Sequence, residues 1–438
     1  MSSETVLVVA PFWPWPGHVG VYRVDRMLRW LAERGVRVVL ARAGRTDGIE
    51  EREWGSLVRV ADPLRFFPDA YGEVGASAAR PPRRPRILRR AAALALAPDP
   101  SVLWSLRAAR HRPLLERAAG AAWVLSSSPP ESAHIGAARL ARRLGARLAV
   151  DLRDGWLDEP PRPELRLRWR RAVEARMERG VLRRAERVFV TSRVWGEMLA
   201  RRLPDVAPRT VVLTNAYPPS AAWPDDDAPE TPSRRDECTL LYAGRFTSSR
   251  ADRTMDGLLV PLAEGMRRSA VRGTVRIVGD LDATEHAAAA RWRERLAALG
   301  WRLEVEGAVP RRELLRRCRG ASGLLLCDPS PAVLPSKLFE YLPTRRPIFA
   351  ASPADGALAA VLRRVPQGFV AGGDAAGDAE RAARFLDACL RDDRPAEVPD
   401  EYSERALGRR FAEALGIPGG SDPGAAGSAS RRVAAARP

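Results

Sequence analysis

Short apolar runs alternate with helical periodicity along most of the chain. In the first half, the runs predict strands at 6–10, 36–41, 123–126, 147–151, 188–191 and 211–214. Between them, apolar positions spaced three and four residues apart predict helices at 22–34, 133–144, 165–184 and 195–202. This alternation is typical of a parallel sheet that helices cover on both faces.

A second alternating set follows residues 217–237, where five prolines and three consecutive aspartates indicate a solvated linker rather than a cation site. Its strands are expected at 240–243, 275–279, 303–306, 323–327, 347–350 and 368–371. Its helices are expected at 255–268, 285–299, 311–319, 337–342, 379–391 and, last, 403–415. The Gly/Ala/Ser/Pro-rich residues 418–438 are expected to be disordered.

The fold class that follows is α/β, with two Rossmann-like doubly wound domains facing a central cleft. We predict domains at 1–216 and 238–400, joined by the linker 217–237 and followed by a C-terminal helix at 401–417. Ligands of such sheets bind beyond the carboxyl ends of the strands, so the cleft is the expected site.

Charge adds less than its size suggests. Lys and Arg total 72 against 54 Asp and Glu, which gives a net charge of +18, but Lys337 is the only lysine, so 71 of the 72 are arginine. Heavy use of Ala, Gly and Pro accompanies the arginines and indicates a compositional bias. Aromatic residues make up 6% and form no stacking stripe among the arginines, which argues against nucleic-acid binding.

Compartment is predicted from absences. The four cysteines are too scattered for a disulfide framework or a zinc ribbon, so we expect reduced core residues. No signal-peptide pattern opens the chain, and no apolar run approaches the roughly 20 residues of a spanning helix. We therefore predict a cytoplasmic protein. Residues 80–90 hold six arginines and no acid before the apolar run 91–97, which fits either a surface lying on anionic lipid or a solvated loop.

Three segments of the first half follow predicted strands. Gly17 and Gly20 lie before the first helix, where backbone N–H groups either approach an anion or form a tight turn. His134 lies near a helix N-terminus, where it either bonds a substrate hydroxyl or is simply buried. Asp151 and Asp154 flank Arg153, so one carboxylate acts as a base or orients a hydroxyl, or else the loop is structural.

Two segments of the second half suit a diphosphate. Gly244 and Arg245 begin a loop that continues to Arg250 and Arg253, and guanidinium groups beside a glycine bind two phosphate oxygens at once. Chance placement is the competing explanation for any single arginine.

Lys337 follows Ser336, a candidate helix N-cap, although the helix dipole disfavours a cation in the first turn. A bound phosphate would make that cation favourable. Glu340, three residues on, accepts hydrogen bonds from ribose hydroxyls or merely pairs with Lys337 on the surface.

Taken in order, these segments resemble the family 4 glycosyltransferases of the two-Rossmann-domain (GT-B) class. The resemblance covers almost the whole chain up to about residue 415, and the segments that carry it are APFWPWPGHVGVYR, SSSPPESAH, DLRD, YAGRF, VRIVGDLD, VEGAVPRRELLRRCRGASGLLL and PSKLFEYLPTRRPI. The resemblance implies metal-independent transfer of a sugar, with retention, from a nucleotide-diphosphate sugar, which is the donor substrate rather than a cofactor. It places the donor on domain 238–400 and the acceptor on domain 1–216.

Residue roles follow from the same resemblance. Glu340 is similar to the second Glu of the family's Glu-x7-Glu motif and would hold the ribose, whereas Ala332 stands where the first Glu would fall. Arg245, Arg250, Arg253 and Lys337 would bind the diphosphate, and Gly17 and Gly20 would form the glycine loop that approaches the donor phosphate and the acceptor. His134 would lie beside the transferred sugar.

Alternatives from other classes are kept open. A sugar-nucleotide 2-epimerase would share the architecture, but four histidines in the whole chain are few for its expected cluster of acids and histidines. A basic nucleic-acid-binding protein is less favoured. The acceptor is expected to be a lipid-linked sugar, a polysaccharide or a small molecule, with an anionic membrane surface as a further partner.

Overall fold

A computed structural model describes residues 4–13, 19–64, 95–158, 163–217, 237–246, 253–391 and 398–418. Gly17, Arg250, the basic segment 80–90, most of the linker and the C-terminal tail lie outside these described residues. The predictions made for them therefore stay predictions.

The chain forms two compact units. Unit 1 comprises Met1–Thr191, Trp195–Leu213 and Gly408–Pro438, and unit 2 comprises Ser192–Val194 and Thr214–Leu407. Each unit has its own sheet, as the two alternating sets in the sequence predicted.

Unit 1 is built on one large, mainly parallel sheet. Its strands are β1 Thr5–Val9, β2 Arg37–Gly44, β3 Gly48–Arg52, β4 Gly55–Ala61, β5 Trp123–Ser128, β6 Arg147–Leu152, β7 Arg187–Val190 and β8 Thr210–Val212. Their order is β3-β4-β2-β1-β5-β6-β7-β8, and all neighbours pair in parallel except the antiparallel β3 and β4. The chain reverses its winding between β1 and β5, which is the point where doubly wound sheets bind ligands.

Helices connect the parallel strands of unit 1. They are α1 Val19–Ala32, α2 Val102–Ala108, α3 Arg112–Arg117, α4 Ser132–Leu144, α5 Arg168–Leu182 and α6 Arg193–Arg202. Every residue of β5 is buried, as are the last five of β6, because helices cover both faces of the sheet. Polar side chains at the carboxyl ends of these strands are therefore held in a desolvated environment.

Unit 2 has a six-stranded parallel sheet. Its strands are β9 Glu237–Ala243, β10 Arg272–Val278, β11 Trp301–Glu306, β12 Gly323–Cys327, β13 Ile348–Ala351 and β14 Gly368–Ala371. Their order is β11-β10-β9-β12-β13-β14, which is the 3-2-1-4-5-6 order of dinucleotide-binding sheets. The winding reverses between β9 and β12.

Two helical layers cover this sheet. The helices are α7 Met255–Arg268, α8 Ala283–Ala297, α9 Arg311–Gly320, α10 Ser336–Tyr341, α11 Ala357–Leu362 and α12 Ala375–Arg391. On one face, Leu258 of α7 and Phe385 of α12 belong to one apolar cluster, and on the other face Leu338 of α10 and Leu358 of α11 belong to a second. Burial of apolar surface on both faces stabilises the sheet, and so holds the carboxyl ends of its strands in place.

The last helix, α13 Glu404–Leu415, begins in unit 2 and ends in unit 1. Within unit 1, Phe411 packs against Trp30 and Phe189, with ring centroids 5.6 and 5.4 Å apart. The Trp123 indole donates a hydrogen bond of 2.9 Å to the carbonyl of Leu415. The second half of α13 thus completes the core of unit 1.

The predicted strands are all present, but β3 and β4 were not predicted. Three short helices, α2, α3 and α11, were also missed because six or seven residues give too few turns for a clear period. The expected helix 165–184 is divided into a 3₁₀ turn at Pro163–Arg166 and α5.

One boundary error affects the candidate site. The first helix begins at Val19 rather than at residue 22, so Gly20 lies inside its first turn and not in the loop before it.

All four cysteines are buried thiols that form no disulfide, which agrees with their prediction as core residues. Among the described helices, none combines the length and the apolar character needed to cross a bilayer.

Candidate active site

The site of unit 2 lies where the winding of its sheet reverses. Gly244 follows β9 and Asp328 follows β12, the two central and adjacent strands. Because both strands point the same way, these residues share one sheet edge. Arg253, at the entry to α7, and Lys337, in α10, reach the same edge.

Gly244 is required at its position by conformation and by space. Its backbone φ of +91° is one that residues other than glycine rarely adopt, and a Cβ there would lie 3.0 Å from the Nζ of Lys337. The ammonium also lies over the ring of Tyr242, 4.4 Å from the centroid, and this ring stacks on Phe246. A glycine and an aromatic face therefore position the single lysine.

The charge of Lys337 is poorly compensated. Among the described residues it makes no ion pair, although it is only partly exposed. Burial, followed by the nearby positive charge of Arg253, lowers the pKa of Lys337 to about 7, while Glu340 and Asp328 oppose that shift. The amine thus sits where a further anion would be stabilised.

Arg253 is 7% exposed and forms an ion pair with Asp328, which is fully buried. The other carboxylate oxygen of Asp328 accepts a hydrogen bond of 3.1 Å from the backbone N–H of Ser330. Two cations, Lys337 and Arg253, therefore face one carboxylate at this edge. The sequence had suggested both cations, but not Asp328.

Arg245 is turned toward acids. Its Nη2 lies 3.3 Å from Asp282 and its Nε 3.6 Å from Glu285. Both acids form the capping box of α8, and Glu285 also accepts the N–H of Phe246 at 2.8 Å. The predicted contact of Arg245 with a diphosphate stays a prediction.

Glu340 is held by an arginine. The Nε and Nη2 of Arg311, the first residue of α9, lie 3.1 and 3.0 Å from one of its carboxylate oxygens. The expected surface pair with Lys337 is not formed; the two side chains interact only through space. The expected N-cap was wrong, because Pro335 is the N-cap of α10 and Ser336 is already helical.

Ala332, at the position of the first motif Glu, is 1% exposed. Its carbonyl accepts a hydrogen bond of 2.6 Å from the hydroxyl of Ser192. A small apolar side chain thus fills a closed position.

In unit 1, His134 is the third residue of α4 and is fully buried. Its Nδ1 lies 2.8 Å from the Oγ of Ser126, whereas Nε2 has no hydrogen-bond partner within the described part of the chain. Burial lowers the pKa of His134 to about 4, although the charge of Asp151 opposes the shift. The imidazole is therefore neutral near pH 7.

Asp151 is fully buried and already bound. Arg23 of α1 donates to both carboxylate oxygens, with Nη2–Oδ1 2.6 Å and Nε–Oδ2 2.9 Å, and Ser127 donates at 2.7 Å. Arg23 also bonds the carbonyl of Leu213, so the pair joins α1, β5, β6 and the end of β8. A carboxylate held this way organises the sheet edge, and a role as a base stays a prediction.

Asp154 is more accessible, with 40% of its side chain exposed, and lies 3.7 Å from the Nε of Arg153. This weak pairing with Arg153 agrees with a purely structural loop, which was one of the two interpretations of the sequence. Its catalytic role likewise stays a prediction.

Behind His134 lies a buried polar chain. The ring of Trp156 is 6.0 Å from the imidazole between centroids, and its Nε1 donates to Glu174 at 3.0 Å. Glu174 accepts at 2.7 Å from Arg170, which also bonds the carbonyls of Leu96 and Pro98.

The structure thus brings Gly244, Arg253 and Lys337 together in unit 2, and His134 and Asp151 to neighbouring strand ends in unit 1. Sequence reasoning missed Asp328, Arg311 and Tyr242. A polar residue directly after a buried strand was the available signal for Asp328. Among the described residues, no cluster of three or more His, Cys, Asp or Glu is arranged to hold a metal.

Solved structures of GT-B glycosyltransferases have the same fold of two parallel-sheet units. Sucrose-phosphate synthase from Thermosynechococcus elongatus aligns with a TM-score of 0.61 and 16% identity, over 94% of this chain and 98% of that chain. A UDP-forming α,α-trehalose-phosphate synthase from Burkholderia xenovorans, in complex with glucose-6-phosphate, aligns with a TM-score of 0.56 and 12% identity. The alignment covers 94% of this chain and 100% of that chain. HepE from Anabaena, in complex with UDP and glucose, aligns with a TM-score of 0.54 and 12% identity. The alignment covers 95% of this chain and 100% of that chain.

Identities this low show a common fold. In sequence, residues 20–216 match the model of the glycosyl transferase 4-like domain, which is somewhat less than half of the chain. Among curated proteins, no sequence matches the chain. The fold is that of the GT-B glycosyltransferases, and the domain match in unit 1 agrees with it.

Proposed function

We propose that the protein transfers a sugar from a nucleotide-diphosphate sugar to an acceptor hydroxyl, with retention of the anomeric configuration and without a metal ion. The acceptor belongs to polysaccharide, glycolipid or natural-product glycoside synthesis. The donor diphosphate binds unit 2, at the edge where β9 and β12 end.

One observation carries the donor assignment. Lys337 has no carboxylate partner among the described residues, its pKa is lowered by burial and by Arg253, and it lies against a glycine that leaves the backbone accessible. A diphosphate supplies the missing negative charge and occupies the space that a Cβ would fill. A simple structural role would instead provide the lysine with an acid.

The roles of the remaining residues follow from this position. Lys337 and Arg253 neutralise charge that develops on the leaving diphosphate, and Arg245 and Arg250 contribute to the same field. Glu340, oriented by Arg311, accepts hydrogen bonds from the ribose hydroxyls. The neutral His134 offers its Nε2 to a sugar hydroxyl, because Ser126 already occupies Nδ1.

The solved relatives support the donor class. HepE is complexed with UDP and glucose, and the trehalose-phosphate synthase is UDP-forming. Uridine diphosphate sugars are therefore the first donors to test, and sugar phosphates are the first soluble acceptors.

A panel of nucleotide sugars, assayed for binding, slow hydrolysis and transfer, tests the proposal. We expect one donor to release its nucleoside diphosphate, the product to keep the donor's anomeric configuration by NMR, and EDTA to leave the rate unchanged. Conversion of the donor into its C2 epimer would identify an epimerase instead. Absence of binding and of turnover across the panel would contradict the proposal.

A further inference from the structure

The outward side of α5 in unit 1 exposes apolar side chains. Trp169 is 56% exposed, which is the highest value among the large apolar side chains of the described residues. Val173, one helical turn later, is 38% exposed, and Leu167, the N-cap of α5, is 40% exposed. Residues four apart lie on the same side of a helix, so Trp169 and Val173 form one surface.

Among the described residues 166–179, the exposed charges have one sign. Arginines at 166, 168, 171, 176 and 179 are exposed, whereas the two acids of α5, Glu174 and Glu178, are buried. Those acids bind Arg170 and Arg202, with N–O distances of 2.7 and 2.6 Å. Of the exposed arginines, Arg171 contacts the Leu157 carbonyl, and the other four make no ion pair with any described residue. We call residues 166–179 on this side the Trp169 face.

Another exposed apolar residue shows how different this arrangement is. Val260, on α7 in unit 2, is 48% exposed, but acids lie four residues before and after it, at Asp256 and Glu264. An isolated apolar residue between acids is ordinary protein surface. At the Trp169 face, by contrast, every exposed charged side chain of the described residues 166–179 is an arginine.

This combination matches the chemistry of a lipid headgroup layer. Indole rings favour the bilayer interface, where an apolar body and a polar N–H are both satisfied. Each basic residue near an anionic membrane contributes about 1 kcal/mol of attraction. We propose that the Trp169 face binds the surface of a bilayer that contains anionic phospholipids.

In this arrangement α5 lies along the membrane plane. Trp169 and Val173 enter the headgroup region, and the arginines contact lipid phosphates. The proposal goes beyond donor chemistry, because lipid binding needs no nucleotide. It also differs from the lipid surface suggested by residues 80–97, most of which lie outside the described residues.

Vesicle flotation of the full chain tests the proposal. We expect the protein to float with vesicles of phosphatidylcholine and phosphatidylglycerol, to float poorly with phosphatidylcholine alone, and to lose binding as salt is raised. Trp169→Asp should lower the partition coefficient at least about tenfold, by adding a charge that the interface disfavours. Val260→Asp is the matched control and should leave it unchanged.

The basic part of the face has its own variant. Arg168→Gln/Arg176→Gln/Arg179→Gln should weaken flotation by a factor of about 100, if each cation contributes roughly 1 kcal/mol. The control removes the same charge from exposed positions of α8, as Arg291→Gln/Arg293→Gln/Arg295→Gln. Equal losses from both triple variants would indicate attraction by net charge and would overturn the assignment to this face.

Direct insertion has a spectroscopic signature. Brominated lipids in the same vesicles should quench part of the tryptophan fluorescence, and Trp169→Phe should remove most of that quenching while the protein still floats. Wild-type-like flotation of Trp169→Asp, or retention on DNA without vesicle binding, would overturn the proposal. UDP titration of the same samples separates this result from a failure of the proposed function.

Discussion

At the scale of single residues, the amine of Lys337 combines three features: no ion-pair partner among the described residues, partial burial, and contact with a glycine of positive φ. Each feature alone is unfavourable or neutral for the ligand-free protein. Together they describe a position prepared for an anion, because a bound diphosphate would reverse the sign of the electrostatic contribution.

Proton uptake should accompany nucleotide binding. Because the pKa of Lys337 is lowered to about 7, most of the amine is neutral at pH 8, and a diphosphate favours the charged form. Binding of UDP at pH 8 should therefore take up close to one proton, and little at pH 6, where the amine is already charged. Calorimetry in buffers of different ionisation enthalpy measures this number. Lys337→Arg, which stays protonated, should show none, and equal uptake in both proteins would contradict the prediction.

Glu340 should determine how strongly the protein distinguishes the ribose of UDP from a 2′-deoxyribose. Glu340→Gln should weaken UDP binding by roughly tenfold to a hundredfold, because hydrogen bonds to a charged group contribute about 1.5–3 kcal/mol. It should also remove any preference for UDP over 2′-deoxy-UDP. Arg311→Gln, which frees Glu340 without removing its charge, should have a smaller effect in the same titration. Undiminished discrimination by Glu340→Gln would exclude it from the ribose site.

At the scale of elements, strands and long helices were predictable because their apolar period is strong. The edge strand β3, GIEER, carries mostly exposed polar residues, so no alternation marked it. Lys337 was detectable as the single lysine of an arginine-rich chain. Asp328 and Tyr242 come together at the site only because β12 pairs with β9. Local periodicity predicts the strands but not their order in the sheet, so these two residues could not be predicted.

The chain of contacts behind His134 is an element-scale feature, since it ties α5 to the loop after β6. Glu174→Gln would remove the carboxylate charge that faces the buried Arg170 guanidinium, so we expect a loss of about 3–5 kcal/mol in the free energy of unfolding. Urea denaturation measures this loss. The exposed pair Arg183–Asp205 is the control, and Asp205→Asn should cost about 1 kcal/mol or less. A similar small cost for Glu174→Gln would show that the network adds little to stability.

At the scale of the whole molecule, the chain leaves unit 1 after β8, builds unit 2 and returns through α13. Phe411→Ala should therefore weaken unit 1, by about 3–5 kcal/mol, because it opens a cavity between Trp30 and Phe189. UDP affinity of the folded variant should be unchanged, since Phe411 belongs to unit 1. Loss of UDP binding without loss of stability would contradict this division.

The central claim, that the edge of unit 2 binds the donor diphosphate, is tested most directly by calorimetric titration with UDP, GDP and dTDP. The account predicts that the wild-type protein and the surface variant Arg295→Ala bind one of these nucleotides with the same affinity. It further predicts that Lys337→Ala and Glu340→Ala remain folded by circular dichroism but lose that binding. Wild-type affinity in both site variants would contradict the account.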